Sequence, residues 1–138
     1  MPFPNQPQYE VMIYGVLGAY PQVATSTLRL YSTSALTAIV EGELEFKTGL
    51  RLRVIEMIDF EVGKVRHYSY TIYSGGQKIR WYDSQPHPDD PSLASTFPHH
   101  YHEPPDIKRN RCPAPGISFD APNLSTLIAD CLQLGKSL

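Results

Sequence analysis

From Ser26 to Ser84 the chain reads as one strand-like segment after another, with breaks of only a few residues, and that run leaves few folds to choose from. STLRLYS (26–32) opens it, and TAIVEGELEF (37–46) follows with Glu41, Glu43 and Glu45 set against Val40, Leu44 and Phe46, which predicts one wet and one buried face. After the turn at Thr48-Gly49, LRLRVIEMIDFEV (50–62) puts Leu52, Val54, Ile58, Phe60 and Val62 on one face. Glu56 falls on that same face. A carboxylate among core positions is either paired and functional or exposed where the sheet is uncovered, because an unpaired buried carboxylate is costly.

VRHYSYTIY (65–73) and QKIRWYDS (77–84) flank Gly75-Gly76, a hairpin signal. With those glycines as the loop, Tyr70 faces Trp81, Ile72 faces Ile79 and Tyr68 faces Asp83, all on one side. His67, Ser69, Thr71, Arg80 and Tyr82 occupy the other. A change of one residue at the turn around Val62-Gly63 decides whether Glu56 joins Tyr70 and Asp83 or joins Ser69 and Tyr82 beside Arg80. The sequence leaves both registers open.

Helical spacing appears before and after this run. Tyr9, Met12, Ile13, Val16, Leu17 and Tyr20 predict a helix over 7–20 that Pro21 ends, with Gly15 and Gly18 weakening it. Leu124, Leu127, Ile128, Cys131 and Leu132 predict another over 123–134, between Pro122 and Gly135. Between them, residues 85–122 lose all periodicity and hold nine of the 13 prolines and four of the five histidines. The expectation is an α+β fold: a five-stranded antiparallel meander, helices on one face, and a long Pro/His-rich loop pinned across the sheet. At 138 residues the chain has the length of a single domain, 1–138.

Charge and cysteine content narrow the function classes. A formal charge of −2 provides no overall positive field toward nucleic acid or a membrane surface, so any RNA contact must be local. Cys112 and Cys131 form no CxxC pair and read as reduced cysteines. The first residues, MPFPNQPQYE, are unlike a signal peptide, and no apolar run has the length of a membrane span. A cytoplasmic location is expected.

Chemistry concentrates at FPHHYHEPP (97–105), which holds His99, His100 and His102, with His87 a dozen residues upstream. In an extended segment His100 and His102 point the same way and could chelate one ion while His99 points elsewhere, but no helical HxxxH spacing supports a metal centre. An acid–base reading needs no metal or other cofactor. Histidine takes and gives a proton near neutral pH, Arg80 suits a phosphate or developing negative charge, and Asp83 suits the orienting of a histidine tautomer. Tyr68 or Tyr70 suits base stacking. Lys108 and Arg109 in IKRNR add local positive charge beside the histidines. The competing account is a sheet-edge ion pair, core tyrosines and a polar loop. In that case the chain is a non-catalytic module that docks a partner protein or dimerises on an open sheet face.

The order of these features resembles the TumE family of toxin–antitoxin toxins. Glu56, the YSY of Tyr68 to Tyr70, Arg80-Trp81-Tyr82-Asp83, Pro86-His87 and FPHHYH (97–102) carry the resemblance, which runs from about Gly42 into the last helix. It implies a small cytoplasmic toxin with a cognate antitoxin as partner and RNA as target. His99 and His102 would be the acid–base pair, with Arg80 contacting phosphate or transition state and Asp83 orienting His87. Glu56 and Tyr68 would support them.

Overall fold

Residues 50, 52, 54, 56 and 58 all turn to one side and are buried, and that single alternating stripe lies at the centre of the computed structural model. The structure describes residues 2–83, 100–104, 111–113 and 116–136, with the backbone alone at 100 and 111–113. Helix α1 (Gln6–Tyr14) and the one-turn α2 (Val16–Ala19) come first, followed by strands β1 (Val23–Ser26), β2 (Arg29–Ser32), β3 (Thr37–Phe46), β4 (Leu50–Asp59), β5 (Lys64–Ser74) and β6 (Gln77–Asp83). Two short strands, β7 (His100–His102) and β8 (Arg111–Pro113), precede helix α3 (Leu124–Gly135). All pairings are antiparallel, in the order β1-β3-β4-β5-β6-β7-β8, with β2 also on β3.

The α+β class and the antiparallel sheet agree with the sequence reading, while the strand count does not. Among the described residues the sheet has eight strands, because the first expected strand shortens to β2, a further strand β1 precedes it, and the Pro/His-rich segment contributes β7 and β8. The rest of that segment lies outside the described residues. The expected helix over 7–20 is broken at Gly15 into α1 and α2. Asn5 and Gln8 form a reciprocal capping box that starts α1, with Pro7 in its first turn.

Two one-residue irregularities set which side chains meet. In β5, Val65 pairs with Ile58 but His67 with Met57, so a bulge lets both Val65 and Tyr68 turn inward and places Tyr68 opposite Glu56. In β6, Lys78 pairs with Tyr73 but Arg80 with Ile72, which leaves Ile79 as the extra residue. That bulge shifts the expected hairpin pairs. Tyr70 meets Tyr82, Thr71 meets Trp81 and Ser69 meets Asp83, so Arg80 and Tyr82 face the helices while Trp81 and Asp83 face away. Neither of the two registers considered for Glu56 holds in full, because it shares a face with Tyr70 and Tyr82 but not with Asp83. Strand β4 also stops earlier than expected. The Asp59 carboxylate accepts from Glu61 N and Val62 N, Gly63 takes φ 72°, and Val62 stands exposed in the turn.

The core lies between the helices and this inner face. Tyr9, Ile13 and Val16 from α1 and α2, Val40 and Leu44 from β3, Leu50 to Ile58 from β4, Tyr68 to Ile72 from β5, and Leu127 and Ile128 from α3 form one buried cluster. No helix among the described residues is long and apolar enough to cross a membrane.

Gly42 lies where β3 exchanges β2 for β1 as its neighbour. It takes φ 141°, and a Cβ there would meet Thr27 O at 2.5 Å and Leu28 Cα at 2.7 Å, both backbone atoms that cannot yield. Gly42→Ala is therefore expected to destabilise by about 3 kcal/mol from strain and overpacking together. Gly76→Ala, where a Cβ meets nothing within 4 Å, is the neutral control in the same urea titration.

Candidate functional site

The residues singled out by chemistry gather at the β5–β6–β7 end of the sheet, but on its two opposite faces. On the helix side, Glu56 is buried and both carboxylate oxygens are occupied: Tyr9 Oη donates to Oε1 at 2.8 Å and Tyr70 Oη to Oε2 at 2.5 Å. Asn123 Nδ2 donates to Tyr70 Oη at 3.0 Å and to Ser118 O at 2.9 Å, and Asn123 Oδ1 accepts from Ser118 N at 2.9 Å. Four elements of the chain thus converge on one carboxylate. Burial pushes the Glu56 carboxyl above its ordinary value of 4.5, against the lowering effect of the Tyr70 and Tyr9 hydrogen bonds. Burial first, and the Glu56 charge second, push both of those phenols well up, so they stay protonated donors. Tyr68 stacks on Tyr70 at 4.9 Å with planes 9° apart, and burial with the nearby Asp83 charge raises its phenol too.

Arg80 lies on this same inner face. Its Nε and Nη2 donate to Glu103 Oε2 at 3.1 and 2.5 Å, its Nη1 donates to Tyr82 Oη at 3.4 Å, and its guanidinium lies 4.2 Å from the Tyr101 ring centre. Tyr82 Oη donates in turn to Asp130 Oδ2 on α3 at 2.6 Å. Both contacts of Arg80 beyond its own strand, Glu103 and Tyr101, come from the β7 segment, so the cation ties the expected loop to the sheet.

The outer face carries the acid–base geometry. His102 pairs with Trp81 across β6 and β7, and its ring stacks on the indole with centres 4.9 Å apart. His102 Nε2 lies 3.3 Å from Asp83 Oδ2, and both residues are buried, at 1% and 4% exposure. Trp81 Nε1 donates to Ser69 Oγ at 3.0 Å, which fixes the plane on which the imidazole rests. A carboxylate holding one ring nitrogen of a histidine against a rigid aromatic wall orients the imidazole for proton transfer.

Of the expected site residues, the structure brings His102 to Asp83 and Glu56 to Tyr70 and Tyr68, and turns Arg80 away from His102. His87, His99, Lys108 and Arg109 lie outside the described residues, as does the His100 side chain. Among the described residues no group of three or more metal-binding side chains is assembled. Sequence reasoning did not pick out Tyr9, Asn123, Glu103 and Asp130. Asn123 is the instructive one: it stands where a helix cap is expected, yet its side chain makes no capping bond and turns instead to Tyr70 and Ser118.

A protein-family profile described as Toxin TumE matches residues 14–134, which span the sheet, both faces of this site and nearly all of α3. No curated protein and no solved structure matches the chain.

The buried carboxyl predicts a pH dependence. Because its folded-state pKa is raised, the unfolded chain gives up this proton at lower pH than the folded one does. Stability from this group is therefore full below about 4.5 and declines as pH rises toward the folded value. Urea midpoints of the wild type should fall over that interval relative to those of Glu56→Gln. Parallel profiles for the two proteins would contradict a protonated-favouring site at Glu56.

Proposed function

The chain belongs to the Toxin TumE family, and on that premise we propose that it is the toxin of a toxin–antitoxin pair that cleaves RNA by metal-independent acid–base chemistry. The observation that carries this reading is the Asp83–His102 contact stacked on Trp81. Asp83 holds Nε2 and sets the tautomer. His102 is then the group that exchanges a proton with the reacting ribose hydroxyl or the departing oxygen. His99, three positions earlier on the same histidine-rich segment, is the second acid–base group, and His87, Lys108 and Arg109 supply further proton and phosphate contacts. Arg80 and the Glu56, Tyr68 and Tyr70 cluster act from behind the sheet by holding β6, β7 and α3 in register. A cognate antitoxin silences this activity.

A second reading has its own observation. Val11, Tyr14 and Leu17 are 74%, 59% and 48% exposed along one side of α1 and α2, an apolar stripe suited to a partner protein or a second copy of the chain. In that reading the chain is a non-catalytic binding module and its histidines are dispensable.

Induced expression separates the two. Wild-type chain should arrest growth with fragmented total RNA. His99→Ala and His102→Ala should each lower cleavage by about 100-fold or more, the usual share of one acid–base group, and restore growth. Asp83→Asn should follow His102→Ala. Arrest of wild-type strength from both histidine variants, or arrest with intact RNA, overturns the nuclease reading.

A further inference from the structure

On the outer face, the strand register lays two rows of side chains side by side, leading away from His102. One row runs His102, Trp81, Thr71, Arg53 across β7, β6, β5 and β4, and the next runs Lys78, Tyr73, Arg51 across β6, β5 and β4. The first row covers three strand spacings, about 14 Å. Its aromatics and cations are already paired in the manner that nucleobases and phosphates reuse: Lys78 Nζ sits 5.1 Å from the Trp81 ring centre, and the Arg51 guanidinium 4.9 Å from that of Tyr73. Arg53 and Lys78 are exposed and make no ion pair among the described residues, while Arg51 bonds Glu43 at 2.8 Å from the edge of the track. The same Ile79 bulge that sends Arg80 inward is what turns Trp81 onto this face, beside Lys78.

We infer that Trp81, Tyr73, Arg53, Arg51 and Lys78 form a binding track for single-stranded RNA that leads up to the buried His102–Asp83 pair. This deepens the nuclease reading and rests on it. Unpaired bases stack on Trp81 and Tyr73 and displace the cations that now lie over those rings. Lys78, Arg51 and Arg53 then move onto the phosphates between the bases. Flat rings and flexible cations read no base edge, so binding is tolerant of sequence but selective for unpaired strands. The track gives a chain of net charge −2 a local group of cations, bordered on β3 by Glu43 and Glu45, which stand directly across from Arg53 and Arg51.

The chain's one tryptophan is Trp81, so selectively excited tryptophan emission reports on this track. Wild-type protein is titrated with a 2′-O-methyl single-stranded 12-mer of mixed sequence, which binds without being cleaved. Saturable quenching is expected. The Arg51→Gln, Arg53→Gln, Lys78→Gln triple variant should bind at least tenfold more weakly and show a plot of log K against log salt that is shallower by about 2. Three results overturn the track: equal affinity of the triple variant, equal affinity for the duplex form of the oligomer, or quenching by a polyglutamate peptide but not by RNA, which would assign the face to an acidic protein. If the track fails while wild-type expression still fragments RNA, the nuclease reading survives without it. If quenching is as expected while His99→Ala and His102→Ala remain fully toxic, the track stands and the acid–base chemistry falls.

Discussion

The fold depends on how one buried carboxyl group is accommodated. Glu56 sits at the centre of the inner face among aliphatic neighbours, where a carboxylate without donors would cost several kcal/mol. Tyr9 and Tyr70 supply a donor to each oxygen, and Asn123 holds Tyr70 from the far side. The requirement reaches beyond local packing, because satisfying it brings α1, β5 and the start of α3 to a single point on β4. Apolar burial draws helices to a sheet without prescribing where along it they stop, whereas these directional contacts prescribe the position. The stacking of Tyr68 on Tyr70 and the contact of Tyr82 with Asp130 extend the same polar seam toward the sheet end where the histidine chemistry lies.

That seam and the outer face are complementary consequences of strand alternation. Each residue that turns inward to support α3, namely Tyr70, Arg80 and Tyr82, has a neighbour in sequence turned outward, namely Thr71, Trp81 and Asp83. The inner set is closed: the Arg80 charge is matched by Glu103, Tyr82 donates to Asp130, and the phenols are kept protonated by burial. The outer set presents an imidazole against a carboxylate and, beside it, aromatic rings with loosely held cations. The proposed acid–base site therefore lies on the face that the helices leave alone.

Much of this was legible in the sequence, for physical reasons that can be stated element by element. The alternation in 37–46 and 50–62 and the apolar stripe of 124–132 are repeated signals that tolerate local error, and the structure follows them closely apart from the early end of β4 at Asp59. The Glu56 anomaly was legible as well, as a carboxylate on a core stripe. What could not be read was the pairing across Gly75-Gly76. The turn itself is where the sequence places it, with Ser74 opposite Gln77, but a single extra residue at Ile79 inverts every side chain beyond it. No residue type announces that bulge. Its cause is long-range: Tyr82 must face Asp130, and Arg80 must face Glu103, both far along the chain. Tyr9 and Asn123 escaped notice for the same reason, since their partners are 47 and 53 positions away.

The distance of those partners along the chain has a consequence for synthesis. Tyr9 leaves the ribosome early, Glu56 and Tyr70 midway, and Asn123 near the end of the 138 residues. Until α3 has emerged, the sheet has formed around a carboxylate whose seam is open on one side, and the Tyr82 hydroxyl still lacks its partner on α3. The final helix therefore completes the polar seam as well as the apolar core, and a chain interrupted before it is left with its hardest-to-bury group half enclosed.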